Sequence, residues 1–246
     1  MVGDIMQTAR HATAIAALLA VLAVLPLSGC MDGLGSGSDA PIADLTANDH
    51  TPWTGEAVTF DGQASTAPDD ATITSWRFDF GDGSVVEVDD EDEARLDHVY
   101  AEAGHYVATL TVESRKGDDE THRDDTSVEL GVGQRVPVQA TLVNDPLGAG
   151  ANRTVPVSVK DDASNFTVNV TVTGTTAVGT SRLMASFVDP TGAVLASEEV
   201  QVDPGQQRDI VLEGPLARPG THELRLEAAS GAVQVSGQMA IGYLAE

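Results

Sequence analysis

The sequence contains one cysteine in 246 residues, Cys30. A single thiol cannot form an intramolecular disulfide or a Cys-x-x-Cys metal site, so both are excluded. Lysine is almost as scarce, because Lys116 and Lys160 are the only two among 13 basic residues. The 38 acidic residues give a formal net charge of −25, which disfavours nucleic acid and anionic lipid surfaces as partners.

The acidic residues are unevenly distributed along the chain. Residues 41–131 hold 23 acidic and 5 basic side chains, whereas residues 132–246 hold 12 and 7. This step in charge predicts two modules. The lysine-poor, carboxylate-rich composition resembles that of halophilic archaeal proteins. An ordinary acidic secreted protein is the alternative, because net charge informs on solubility and not on fold.

Motifs of common enzymes are missing. The sequence has no G-x-S-x-G elbow, no P-loop and no dinucleotide-binding fingerprint. His222-Glu223 begins like a zinc-protease helix, but Leu226 stands where the second histidine is needed. We therefore expect no catalytic residues, no cofactor-binding residues and no enzymatic activity. A triad assembled from separate strands is the alternative that the sequence leaves open.

One long apolar run lies near the N-terminus. Residues 12–27 read ATAIAALLAVLAVLPL, which is shorter than the ~20 residues of a spanning helix but suits the apolar region of a signal peptide. Leu-Ser-Gly-Cys at residues 27–30 resembles a lipobox, in which the cysteine is alkylated by a lipid and becomes the first mature residue. We therefore predict that residues 1–29 are a cleaved signal peptide and that lipid on Cys30 anchors the protein at the extracellular face of the membrane. A signal peptide without lipid and an uncleaved anchor are the alternatives.

Helical periodicity is nearly absent beyond the cysteine. Residues 30–40 are rich in glycine and serine and predict a flexible tether. The rest consists of short alternating runs separated by turn residues, which predicts an all-β fold of two tandem antiparallel sandwiches at residues 41–131 and 135–246. The predicted strands are 57–61, 73–80, 84–88, 105–113 and 126–132, followed by 136–143, 154–160, 166–173, 182–188, 193–202, 209–212, 222–228 and 232–243.

The most informative stretch is SWRFDFGDGS at residues 75–84. A two-residue period places Trp76, Phe78 and Phe80 on one face of a strand and Asp79 on the other. Three aromatic side chains on one face predict a core strand. The Gly-Asp-Gly that follows predicts a tight turn, because glycine tolerates positive φ.

The order of motifs in this half resembles the PKD (polycystic kidney disease) repeat, over about residues 41–131. The matching motifs are W-x-F-D-F-G-D-G-S at 76–84, H-x-Y at 98–100, A-G-x-Y-x-A-x-L-x-V at 103–112, and the upstream FDGQAS at 60–65 and APDD at 67–70. Asp70 departs from the repeat, which has glycine there. The resemblance implies an immunoglobulin-like β-sandwich used for adhesion, spacing or ligand contact, and it implies no catalysis.

Calcium is the one metal that the sequence suggests. Some PKD domains bind calcium near the turn leading to the aromatic strand, and Ser65, Asp69, Asp70 and Asp79 offer hard oxygen ligands there. The alternative is that these side chains cap turns by accepting backbone hydrogen bonds. The acidic run at residues 87–93 is interpreted as a solvated loop.

Three Asn-x-Thr sequons make Asn152, Asn165 and Asn169 candidates for glycosylation, although threonine is common in strands and chance accounts for some of them. Asn165 and Asn169 lie four residues apart in one predicted strand and so share a face. These observations predict a lipid-anchored surface protein whose sandwiches mediate adhesion or bind a cell-surface protein or polysaccharide. The competing hypothesis is a calcium-dependent binding module or an accessory subunit of a surface transporter or hydrolase.

Overall fold

A computed structural model describes residues 40–117, 120–144 and 151–245. The predicted signal peptide, Cys30 and all but the last residue of the predicted tether lie outside these ranges. The described residues form fifteen β-strands, one three-residue 3-10 turn and no α-helix. None of them forms a helix with the length and apolarity needed to cross a bilayer.

The first seven strands build two antiparallel sheets, with the orders β1-β2-β5 and β4-β3-β6-β7. They are β1 (Thr46–Ala47), β2 (Ala57–Asp61), β3 (Thr72–Asp79), β4 (Val85–Val88), β5 (Arg95–Val99), β6 (Gly104–Lys116) and β7 (Glu120–Val132).

The core of this first sandwich contains the aromatic strand that the sequence predicts. Trp76, Phe78 and Phe80 are buried, and they pack in one apolar cluster with Phe60 and Tyr100. Burial of each such side chain stabilises the fold by about 1.5–3 kcal/mol. The prediction of one apolar face on this strand is confirmed.

The remaining eight strands build a second pair of antiparallel sheets, with the orders β13-β10-β15-β8 and β12-β11-β14-β9. They are β8 (Gln134–Val143), β9 (Asn152–Val159), β10 (Ala163–Gly174), β11 (Ser181–Val188), β12 (Val194–Val202), β13 (Gln207–Pro215), β14 (Gly220–Ser230) and β15 (Ala232–Tyr243). Their inward side chains form a separate apolar cluster, in which the rings of Phe166 and Phe187 stack 4.2 Å apart. The prediction of two tandem sandwiches in an all-β fold is confirmed.

Each of the thirteen predicted strands is present, most of them longer than predicted. Two further strands, β1 and β5, are not predicted from the sequence. Strand β1 has only two residues, and β5 presents only Leu96 as a large apolar side chain toward the core. The boundaries proposed for the two modules stay a prediction.

The segment that enters the first sandwich runs beside the strand that leaves it. Trp53 and Gly133 form a parallel bridge. Around it, the backbone amides of Gly131 and Gly133 donate to the carbonyls of His50 and Pro52, and the amide of Thr54 donates to the carbonyl of Gly133, all at 2.8 Å. The first and last parts of this sandwich are therefore tied together.

Candidate functional site

The Gly-Asp-Gly turn after the aromatic strand is built as the sequence predicts. Gly81 and Gly83 adopt φ values of +78° and +93°, the left-handed region that favours glycine. Asp79 accepts a hydrogen bond from the amide of Gly81 at 3.1 Å, and Asp82 accepts one from the amide of Ser84 at 2.9 Å. Both carboxylates therefore stabilise the turn that contains them.

A histidine on strand β5, in the other sheet of this sandwich, completes the turn. The imidazole of His98 stacks on Phe80 with a centroid distance of 4.0 Å and meets the ring of Tyr100 edge-on at 4.7 Å. Its Nε2 donates to Oδ2 of Asp82 at 2.8 Å, since an ionised carboxylate only accepts. The Tyr100 hydroxyl donates to the buried carbonyl of Phe80 at 3.0 Å. The conspicuous polar groups of the motif thus hold the fold together.

The pKa of Asp82 reflects these contacts. Partial desolvation alone would raise the pKa of this carboxyl, whose side chain is 19% exposed. Hydrogen bonds from the amide and hydroxyl of Ser84 and from His98 outweigh the desolvation, so the pKa is lowered. A lowered pKa means that the folded state favours the ionised carboxylate.

Replacement of Asp82 by asparagine is expected to lower the free energy of unfolding by about 1 kcal/mol at pH 7, because charge-assisted hydrogen bonds are lost. A carboxyl with a lowered folded-state pKa stabilises the fold above its unfolded pKa of about 3.9, and this contribution is lost as the pH falls through the folded pKa. The difference between the two proteins should therefore shrink at pH 3. Urea unfolding at both pH values measures it, with Asp125→Asn on the exposed face of β7 as the control. Equal losses in the two variants at pH 7 would contradict the role of Asp82.

Three of the four predicted calcium ligands have partners of their own in the fold. The Ser65 hydroxyl bonds both backbone groups of Asp44, and Asp79 accepts from its own turn. Asp70 pairs with Lys116 at 2.8 Å, and hydrogen bonding to that lysine lowers the pKa of Asp70. Within the described ranges, no group of three or more His, Cys, Asp or Glu side chains is placed to hold one metal ion. The calcium site at Ser65, Asp69, Asp70 and Asp79 stays a prediction.

The acidic run begins at the end of strand β4 with residues 87–88, and residues 89–93 form an exposed loop around the 3-10 turn at Glu91–Glu93. Asp90 caps this turn by accepting from the amide of Asp92 at 3.0 Å. Gln63 donates to the backbone carbonyl of Glu91 at 3.1 Å and ties the loop to the end of β2. The loop therefore has the character of a solvated surface segment.

The junction of the two sandwiches brings together residues that the sequence analysis did not single out. Only Gly133 separates β7 from β8. The guanidinium of Arg135 lies 4.1 Å from the ring centroid of Trp53 and pairs with Glu56 at 3.1 Å. Lys160, one of the two lysines, pairs with Glu102 at 2.6 Å. Both ion pairs are solvent-exposed, so water screens them and their contribution to the junction is small, whereas the cation–π contact contributes about 0.5–1 kcal/mol.

Two clefts flank Lys160 at this junction. One encloses about 380 Å³ between Glu102, Arg135 and Tyr243, and the other encloses about 400 Å³ beside His105 and the turn between β9 and β10. The first cleft is lined by both ion-paired cations, so their charge is already compensated.

The three sequon asparagines lie in strands and are exposed. Asn152 begins β9, whereas Asn165 and Asn169 lie on the outer face of β10. The prediction that the latter two share a face is confirmed by the exposure of both and by the burial of Phe166 and Val168 between them. Attachment of glycans stays a prediction.

The first sandwich has the immunoglobulin-like architecture that its motifs imply. The family model of the PKD domain matches residues 38–128, so this part of the chain is a PKD domain. The second sandwich lies outside this match. No curated protein matches the chain.

Among solved structures, similarity is weak and distant. A study of carbohydrate-binding modules of the β-sandwich superfamily supplies one match, with 14% identity, 86% of this chain and 99% of that chain covered, and a TM-score of 0.35. Tripeptidyl peptidase 2 gives 6% identity, 82% and 20% coverage, and a TM-score of 0.29. The VP2 subviral particle of infectious bursal disease virus gives 13% identity, with 83% of this chain and 58% of that chain covered, and a TM-score of 0.29. Similarity at this level says nothing about ligand or activity.

Proposed function

We propose that this protein is a lipid-anchored extracellular surface protein that acts in adhesion without catalysis. The observation that supports this most is the order of segments, in which an apolar run, Leu-Ser-Gly-Cys and a glycine-rich stretch precede a PKD domain. In this proposal, lipid on Cys30 holds the chain at the membrane, and the two sandwiches present their outer faces to a partner.

The mechanism that follows is passive display. The one-residue link at Gly133 and the contacts of Arg135 and Lys160 restrict movement between the sandwiches. Restriction favours binding, because a surface that is already ordered loses less entropy when it engages a partner. The partner in this proposal is a cell-surface protein or a polysaccharide.

Mass spectrometry of the protein from native membranes tests the anchoring. The expected N-terminal residue is Cys30 with the mass of a lipid attached, and peptides containing the sequon asparagines are expected to carry glycan mass. A Cys30→Ser variant is expected to lose the lipid and to appear in the medium. Recovery of the protein with Met1 intact would contradict cleavage and anchoring at Cys30.

A further inference from the structure

The outer face of the sheet β13-β10-β15-β8 carries an uncharged polar surface. Alternation along the strands buries residues such as Val138, Val172 and Val235 and leaves amide and hydroxyl side chains pointing away from the core. We call the central group the amide patch. It consists of Gln139 and Thr141 on β8, Thr173 on β10, and Gln234, Ser236 and Gln238 on β15.

Strand register brings these side chains together. Gln234 on β15 lies between Thr141 on β8 and Thr173 on β10, and Ser236 lies opposite Gln139. Neighbouring strands are ~4.8 Å apart, so side chains in one row can contact the same ligand. A shallow depression of about 300 Å³ lies along this row.

The amide patch differs in charge from the rest of the molecule. Its six residues include no acid, in a chain with a net charge of −25. On the same face, the row that contains Ser236 ends at a carboxylate, Asp209 on the edge strand β13. Asp209 already accepts a hydrogen bond from the hydroxyl of Thr171 at 2.7 Å. A second carboxylate on this face, Glu213, also lies on the edge strand β13. The outer face of the other sheet is charged across its central strands, with Glu223 and Glu227 beside Arg182 and Arg225.

The patch has hydrogen-bonding groups available for a ligand. An amide side chain offers two donors and an acceptor, and a hydroxyl offers one donor and two acceptors. The side chains of Gln139, Gln234 and Gln238 are exposed and form no hydrogen bond with another described residue. A second depression, of about 320 Å³, continues from Gln139 to Asn152 and Arg153 on β9 and lengthens the surface.

We infer that the amide patch binds a neutral polysaccharide. A chain of sugar hydroxyls both donates and accepts, which matches the amides and hydroxyls of the patch. An anionic polymer is repelled by the net charge of the protein, and a basic peptide finds no carboxylate in the patch. Protein partners are held mainly by aromatic or large apolar anchors. The six residues supply none, and the exposed apolar side chains of this face, Val143 and Val211, lie at its margins, at the end of β8 and on the edge strand β13. The inference rests on the proposed function, because it assigns the ligand of one displayed face.

The test uses the full chain in detergent, produced in a host that does not glycosylate. A glycan on Asn169, which adjoins Gln238, or on Asn152, which lines the second depression, would cover part of the surface, so glycosylation and polysaccharide binding compete for it. Immobilised neutral glucan, mannan and galactan are the probes, and a uronic acid polymer is the charged comparison. We expect retention on at least one neutral matrix and none on the charged one. Gln234→Ala with Ser236→Ala should weaken binding about tenfold, since two or more net hydrogen bonds are lost. The matched control, Gln201→Ala with Ser197→Ala on the outer face of β12, should change binding less than about twofold.

Three results would overturn the inference. The first is no retention on any neutral matrix, and the second is an equal effect of the two double variants on binding. The third is self-association in ultracentrifugation that the patch variant abolishes, because the patch would then be an interface between two copies of the protein. Lipid on Cys30 together with no retention would reject the polysaccharide and keep the anchored protein. Retention on a neutral matrix together with an intact Met1 would keep the polysaccharide as ligand and reject cleavage and anchoring at Cys30.

Discussion

Phe80→Ala is expected to destabilise the PKD domain by about 3–5 kcal/mol. The side chain is 1% exposed and has rings around it, with Phe60 at 5.2 Å, Phe78 at 6.4 Å and His98 at 4.0 Å. Truncation leaves a cavity among rigid neighbours that cannot collapse to fill it. Urea unfolding measures the loss.

The matched control for Phe80 is Val86→Ala on the adjacent strand β4. Val86 is 39% exposed, so its truncation is expected to change the free energy of unfolding by no more than about 0.5 kcal/mol. Similar unfolding midpoints for the two variants would show that the aromatic strand is not the centre of this core.

Gly131→Ala is expected to lower the free energy of unfolding by about 1–3 kcal/mol and to uncouple the two sandwiches. A Cβ at Gly131 would overlap the carbonyl oxygen of Tyr243 and lie 2.7 Å from the carbonyl carbon of Leu244. Both are backbone atoms, so the end of β15 must move away from β7.

Two spectroscopic signals separate the sandwiches in this experiment. Trp76 lies in the core of the PKD domain and Trp53 lies at its junction with β8, so tryptophan fluorescence follows this domain and the junction, while circular dichroism follows all strands. The two signals should coincide in the unmodified protein and diverge in the variant. Ser127→Ala, at an exposed position of the same strand, is the control. Coincident curves for Gly131→Ala would contradict uncoupling.

The parts of the fold that the sequence predicts correctly are those with a local signal. The two-residue period of Trp76, Phe78 and Phe80 fixes which side of β3 is buried, and the glycines of the turn need no distant partner. Strand β5 lacks such a signal, because its register depends on pairing with β2.

The junction and the amide patch depend on contacts between residues far apart in sequence. Glu56 meets Arg135 across 79 residues, and Glu102 meets Lys160 across 58. The patch arises only when β8, β10 and β15 are adjacent in one sheet. The calcium hypothesis rests on a local pattern that has two meanings. Serine and aspartate at turns can bind a metal, but they can also accept hydrogen bonds from nearby backbone amides, as Asp79 does.

The parallel pairing of residues 50–54 with residues 131–133 has a mechanical consequence. If the chain is held at Cys30 and pulled through its second sandwich, tension enters the PKD domain along the first segment and leaves along β7. Two parallel neighbours pulled from opposite ends are loaded in shear, so their three backbone hydrogen bonds share the force and must break together. The domain would then resist stretching at its edge and protect the aromatic core from load.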